Sequence, residues 1–249
     1  MQKTSSNDIV FGIHAVKETL SSDQEIEKIF LQKGLRSAQA KEISAEARRH
    51  NIPISLVPVE KLNRITRKNH QGVICYVSPI QYASLDNILE SCFSSGKEPF
   101  FLVLDQITDV RNFGAIARTA ECAGIDAIII PNKGAAQVNS DAMKTSAGAL
   151  NHIPICRTSH LKESVQFLKE SGIAIVACTE KGNASIYDAQ LSGPLAIVLG
   201  SEESGISNEI RALADQEAKI PLQGTIGSLN VSVATAIITF EALRQRIEA

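Results

Sequence analysis

From Phe100 onward, short and almost purely apolar runs alternate with stretches of helical spacing. Nothing else in the 249-residue chain constrains the fold as strongly. The runs are FFLVLD (100–105), AIIIP (127–131), HIPIC (152–156), IAIVAC (173–178), PLAIVLG (194–200) and AKIPL (218–222). Between them, Phe113–Gly124 and Leu161–Gly172 space their apolar residues as helices do. Strands without polar alternation are buried on both faces, so the pattern predicts a parallel sheet flanked by helices, an α/β fold. Val231–Arg246 predicts a closing amphipathic helix, with Arg244 and Arg246 at the negative end of its dipole.

The first 80 residues predict a separate small α/β unit. Glu27–Gln32, Pro53–Val59 and Gly72–Val77 read as strands and Ser37–His50 as a helix. The stretch after Pro79 is rich in Ser, Gly and Pro around a short apolar pattern, Leu85, Ile88 and Leu89. The expected organisation is therefore an N-terminal domain (1–78), a linker with one short helix (79–98) and a main domain (99–249). Charge divides the same way: residues 1–80 carry a balance of +4 and residues 81–249 one of −6. Lys61, Arg64, Arg67, Lys68 and His70 crowd one short segment, which reads either as a phosphate grip or as a solvated loop.

Composition removes several classes. With 44% hydrophobic and 21% charged residues the chain is neither disordered nor fibrous, and no apolar run reaches membrane-spanning length. The N-terminus lacks the apolar stretch of a secretion signal, so a cytoplasmic location is expected. The five cysteines form no C-x-x-C pair and the five histidines show no ligand spacing, so reduced thiols and no metal are expected. QITDVRNFG follows the first apolar run and is neither a dinucleotide fingerprint nor a P-loop; no G-x-S-x-G elbow occurs. Aromatics are 4%, with no Trp, so no platform for stacking single-stranded bases is advertised.

Polar and conformationally special residues concentrate in three places, each at a strand end or a helix start, where open parallel sheets bind ligands. In Asp105–Arg118, Asn112 stands where a helix should begin and Arg118 lies within its first two turns. An Asn cap with a surface Arg and a functional pair are equally good readings of that segment alone. In Leu199–Ser207, Gly200 and Gly205 permit a tight loop with Glu202 and Glu203 at its mouth, or simply a turn leading to a capped helix. In Ile220–Ser232, the residues Ser228, Asn230 and Ser232 crowd the last helix start, and capping accounts for one of them but not for three.

As a set, N-F-G-A-I-A-R-T (112–119), L-G-S-E-E-S-G (199–205) and I-P-L-Q-G-T-I-G-S-L-N-V-S (220–232) resemble the three ordered motifs of the SpoU (TrmH) family. These are RNA ribose 2′-O-methyltransferases of the SPOUT class. V-F-G-I-H-A-V (10–16) and N-H-Q-G-V (69–73) resemble the small, ribosomal L30e-like RNA-binding domain of the family's RlmB-type branch. The resemblance implies a main domain with a deep trefoil knot, S-adenosylmethionine as cofactor and a homodimer whose sites are completed across the interface. It implies Gly200, Ile220, Leu222 and Leu229 as cofactor contacts. Arg118 matches the catalytic arginine, and Asn112, Glu202, Ser228 and Asn230 match its supporting polar positions. The implied substrate is a guanosine of 23S ribosomal RNA. Transfer RNA methylation and a non-catalytic RNA-binding role are the alternatives.

Overall fold

The computed structural model describes residues 9–248, which form two compact units. One extends to Gln81 and takes in Gln137–Ser140; the other comprises Tyr82–Ala136 and the chain from Asp141 onward.

The first unit is a four-stranded mixed sheet. Its elements are β1 (Ile9–Phe11), α1 (Ile13–Leu20), β2 (Ile26–Gln32), α2 (Ala38–Arg49), β3 (Ile54–Val57), α3 (Val59–Ile65) and β4 (Val73–Val77). The strands lie in the order β1-β4-β2-β3, with only β2 and β3 parallel. Strand alternation sends Ile29, Leu31, Val73 and Cys75 to a core that includes Val16, Ile43 and Ala47 of α1 and α2. Phe30 and Ile74 face the other way and are covered by Leu62 of α3. β1, α1 and α3 go beyond the elements read from the sequence.

The second unit is a seven-stranded parallel sheet in the order β7-β6-β5-β10-β8-β11-β9. Its elements are α4 (Leu85–Ser94), β5 (Phe100–Asp105), α5 (Val110–Cys122), β6 (Ala127–Pro131), α6 (Ser140–Thr145), a 3₁₀ turn (Ala149–Asn151) and β7 (Ile155–Thr158). They continue with α7 (Leu161–Glu170), β8 (Ala174–Cys178), β9 (Ala184–Ser185), β10 (Leu195–Gly200), α8 (Asn208–Arg211), β11 (Gln216–Lys219) and α9 (Val231–Glu248). All six residues of β5 are buried, as a central strand covered on both faces requires. Phe101, Val103, Ala196 and Val198 share one core with Leu89 of α4, Val165 and Leu168 of α7 and Ile210 of α8. The alternate residues point to the opposite face, where α9 packs on α5 and β10. Gly114 makes room on α5, because a Cβ there would stand 2.8 Å from Thr145 Cβ and 2.9 Å from the Ala142 carbonyl oxygen.

Three local expectations change. α4 is the short helix expected within the 79–98 linker, but its Leu89 lies in the second unit's core, and Leu85 and Ile88 pack against that core. β7 and β11 are displaced by two or three residues from their apolar runs, because HIP and IPL carry prolines that cannot donate to a ladder. α9 is not amphipathic. Ile238, Thr235 and Ala242 are buried on one side, while Val233, Phe240 and Ile247 project on the other. Its arginines make specific contacts beyond any dipole effect. Arg244 forks onto Glu241 at 2.7 and 3.0 Å, and Arg246 reaches the Glu98 carbonyl at 2.7 Å as well as that of Gly193.

Candidate active site

The site lies at the carboxyl ends of β5, β10 and β8, where the chain leaves the sheet on three neighbouring strands. After β5, Gln106 adopts a left-handed backbone (φ 59°), turning the chain toward α5. The α5 cap is Asp109, whose carboxylate accepts from the amides of Arg111 (2.9 Å) and Asn112 (2.8 Å). Of the two readings open for Asn112 in the sequence, the helix cap is thus excluded. Asn112 sits one turn inside, with its side chain available for other partners.

The loop after β10 folds back on itself. A bridge joins Ser201 to Gly205, and the Ser201 and Ser204 hydroxyls meet at 2.7 Å. A Cβ on Gly200 would lie 2.1 Å from the carbonyl carbon of Gly205 and 2.3 Å from the amide nitrogen of Ile206, so only glycine fits. The loop's far end is anchored by the buried carboxylate of Asp105, which accepts the Ser207 amide at 2.7 Å. Ser207 begins α8, but its hydroxyl makes no capping bond and is buried without a partner.

This loop carries Glu202 to the start of α9. One carboxylate oxygen, Oε1, accepts from Asn230 Nδ2 (2.8 Å), the Val231 amide (3.0 Å) and, at the limit of bonding distance, Asn112 Nδ2 (3.5 Å). Asn230 Nδ2 also donates to Asn112 Oδ1 at 3.0 Å, and Asn230 Oδ1 accepts from the Ser232 hydroxyl at 2.6 Å. Three residues separated by up to 118 positions therefore form one polar cluster. Glu202 doubles as a remote cap for α9, satisfying an orphan amide from outside the helix.

The cluster stands at a wall between two clefts. One encloses about 670 Å³ including its open mouth, with apolar walls of Leu199, Ile206, Ile220, Leu222 and Leu229. Gly200, Ser228, Glu202 and Val231 also line it, together with Cys178, Thr179 and Glu180 at the end of β8. The other, about 800 Å³, is lined by Gln106, Thr108, Asp109, Asn112, Glu203 and Ser204. Ser201, Glu202 and Val231 belong to both. Gly200, Ile220, Leu222 and Leu229 thus share one pocket, with Leu222 39% exposed at its mouth. The segment Cys178–Glu180 is an addition. Its signal was available, since the run ending at Cys178 finishes at the same end of the sheet.

Two site residues are not tied into the cluster. Ser228 lines the apolar cleft, exposed, and makes no hydrogen bond among the described residues. Arg118 is exposed on α5 with no hydrogen bond or ion pair among the described residues. It lies six residues from Asn112, about 9 Å further along the axis and on a different side of the helix.

The apolar cleft fits an adenosyl sulfonium cofactor. Apolar walls suit a purine, and the glycine-only hairpin lets a ligand meet backbone rather than side chains. Residues 221–229 make no hydrogen bond among the described residues, leaving their amides and carbonyls for a ligand. Glu180 and Glu202 supply negative charge beside a cationic group.

Comparison with known proteins agrees with a cofactor of this kind. The SpoU rRNA Methylase family matches residues 99–240, and a second family, RNA 2′-O ribose methyltransferase substrate binding, matches residues 9–83. YacO of Bacillus subtilis, named for the TrmH family of tRNA/rRNA methyltransferases, is 34% identical over 240 residues, covering 96% of each chain. The crystal structure of an AdoMet-bound rRNA methyltransferase from Sinorhizobium meliloti superposes with a TM-score of 0.61 at 25% identity, covering 95% of this chain and 87% of that one. The methyltransferase AviRb from Streptomyces viridochromogenes shares the fold, with a TM-score of 0.62 at 24% identity over 97% of this chain and 91% of its own. A methylase domain behind a substrate-binding domain, both matched along most of their length, makes this chain a member of the SpoU (TrmH) family of RNA 2′-O-ribose methyltransferases.

Proposed function

We propose that the chain methylates the ribose 2′-hydroxyl of a guanosine in large-subunit (23S) ribosomal RNA, acting as a homodimer with S-adenosylmethionine as donor. The observation that carries this reading is the Asn112–Glu202–Asn230 cluster on the wall between an apolar and a polar cleft. A donor on one side and a ribose on the other would meet there.

When bound, S-adenosylmethionine supplies an activated methyl group on sulfur. Gly200, Ile220, Leu222 and Leu229 would hold it in the apolar cleft. The protein then has to orient the hydroxyl and handle its proton. Glu202 is committed to positioning: its Oε1 fixes Asn230 and the α9 amide and steadies Asn112. Asn112 and Ser228 would orient the ribose and the donor. A guanidinium is a poor base but a planar, doubly donating fork, so the role of Arg118 is to clamp the neighbouring phosphate and stabilise developing alkoxide charge.

Because Arg118 stands apart from its own chain's cluster, the reading requires Arg118 of the partner subunit. The exposed Val233, Phe240 and Ile247, each seven residues apart on α9, supply an apolar stripe for that association. The trefoil knot belongs to the same proposal. It is supported by the return of the chain from β11, through residues 220–230 beside the Gly200–Ile206 loop, to α9 on α5.

Incubation with S-adenosylmethionine and separated, unmodified large-subunit ribosomal and transfer RNA tests the substrate. One methylated guanosine in the ribosomal fraction is expected. Modification of transfer RNA alone would transfer the assignment there. Tight S-adenosylmethionine binding with no transfer to either would refute it.

A further inference from the structure

We infer that the α3 side of the N-terminal unit, from Lys61 to Gly72, is a preformed surface for the phosphate backbone of folded RNA. This deepens the proposed function and rests on it.

The two sides of this small sheet differ in charge pattern. On the α2 side, Lys41, Arg48 and Arg49 are interleaved with Glu42 and Glu46. There Lys17 pairs with Glu42 at 2.6 Å, while Glu46 takes Arg49 at 3.3 Å and His50 at 3.1 Å. On the α3 side no acid occurs between Glu60 and Asp86, yet Lys61, Arg64, Arg67 and Lys68 fall within eight residues. All four are exposed, and none makes an ion pair among the described residues. A mixed surface neutralises itself; an unmixed one attracts a polyanion.

The surface is also held in shape. Leu62 is fully buried against the sheet, fixing α3. The Gly72 amide donates to His70 Nδ1 at 3.0 Å, so His70 carries its hydrogen on Nε2 and donates it to Asn63 Oδ1 at 2.9 Å. His70, itself buried, thereby ties α3 to the turn before β4. That turn needs two left-handed residues, Gln71 (φ 52°) and Gly72 (φ 79°). The lysines are laid on the sheet by its rings: Lys61 Nζ is 4.9 Å from the Phe30 centroid and Lys68 Nζ 5.7 Å from that of Phe11. The ring of Phe30 is already covered by Lys61 and by Lys28 at 5.1 Å and meets Tyr76 edge-on, so it is no stacking platform for a base. Contacts here go to phosphates, which position RNA without reading its sequence.

The test uses the full chain and a transcript of unmodified large-subunit ribosomal RNA, with affinity measured from 0.05 to 0.3 M salt. The variant K61Q/R64Q/R67Q/K68Q is compared with K17Q/K41Q/R48Q/R49Q on the α2 side. Losing four phosphate contacts should flatten the plot of log affinity against log salt by about 3 and weaken binding on the order of a hundredfold at 0.15 M salt. The α2 variant should lose less than about threefold, and both should bind S-adenosylmethionine as the wild type does. Equal losses in the two variants, or an unchanged slope in the α3 variant, would overturn the inference. Failure of the wild type to methylate any RNA would instead strike the proposed function, and the two failures are read from different samples.

Discussion

Replacing Gly200 by alanine isolates what the hairpin does. The new Cβ would meet only backbone: Gly205 C at 2.1 Å, Gly205 O at 2.2 Å and Ile206 N at 2.3 Å. Normal carbon contacts begin more than 1 Å further out, so the two sides of the loop must separate. Separation stretches the Ser201–Gly205 backbone bond (2.9 Å) and the Ser201–Ser204 contact (2.7 Å), because Asp105 holds the far end at Ser207. Two weakened hydrogen bonds at about 1 kcal/mol each, with overpacking of 1–3 kcal/mol, place the cost at about 3–5 kcal/mol. It divides between stability and ligand affinity; if half falls on affinity, S-adenosylmethionine binding drops about tenfold to a hundredfold. Titration calorimetry and urea unfolding of Gly200→Ala measure the two shares. Gly224→Ala is the control, since that glycine has nothing within 4 Å of a built Cβ. Unchanged binding and stability in Gly200→Ala would refute the reasoning.

Other consequences are equally direct. Arg118→Lys keeps the charge but loses the planar fork, so single-turnover methyl transfer should fall by about a hundredfold or more while S-adenosylmethionine affinity stays within threefold. Phe240→Glu places a charge in the α9 stripe. Sedimentation should show monomer, and transfer should be lost with cofactor binding retained. The carboxyl of Glu241 is held below its ordinary 4.5 by its hydrogen bonds to Arg244, against the opposing effect of burial and with help from Gln245. For Asp215, burial acts upward but is outweighed by Lys169 and the Ile175 amide, which hold it below 3.8. Carboxyls lowered on folding contribute stability above their unfolded values and lose it as pH falls through the folded ones. Thermal melts of Glu241→Gln and Asp215→Asn should therefore trail the wild type at pH 6 and approach it only as pH falls below 4.5 for Glu241 and below 3.8 for Asp215, through the lowered folded values.

The central strands were legible in the sequence because burial on both faces leaves nothing but apolar residues. FFLVLD and AIIIP coincide with β5 and β6 to the residue. Edge elements were less so. β9 is two residues long and β11 is QEAK, polar because only its Ala218 is buried, and neither has periodicity to read. The candidate site residues stand out in the sequence as an excess of Gly, Asn, Ser and Glu at strand ends, but their contacts do not. That Asp109 caps α5, freeing Asn112, and that Glu202 caps α9 from 29 residues away are facts of tertiary geometry. α9 misled for the same reason. A helix with one face on α5 and another left uncovered shows no dominant apolar stripe, and its two apolar sides merge into one composition.

The sharpest measurement is where the methyl group ends up. RNA labelled from radioactive S-adenosylmethionine by this protein is hydrolysed in alkali, which cleaves next to a free 2′-hydroxyl and spares a methylated one. Label confined to alkali-resistant dinucleotides is the result the site geometry requires. Label released in mononucleotides, on a methylated base, would contradict it.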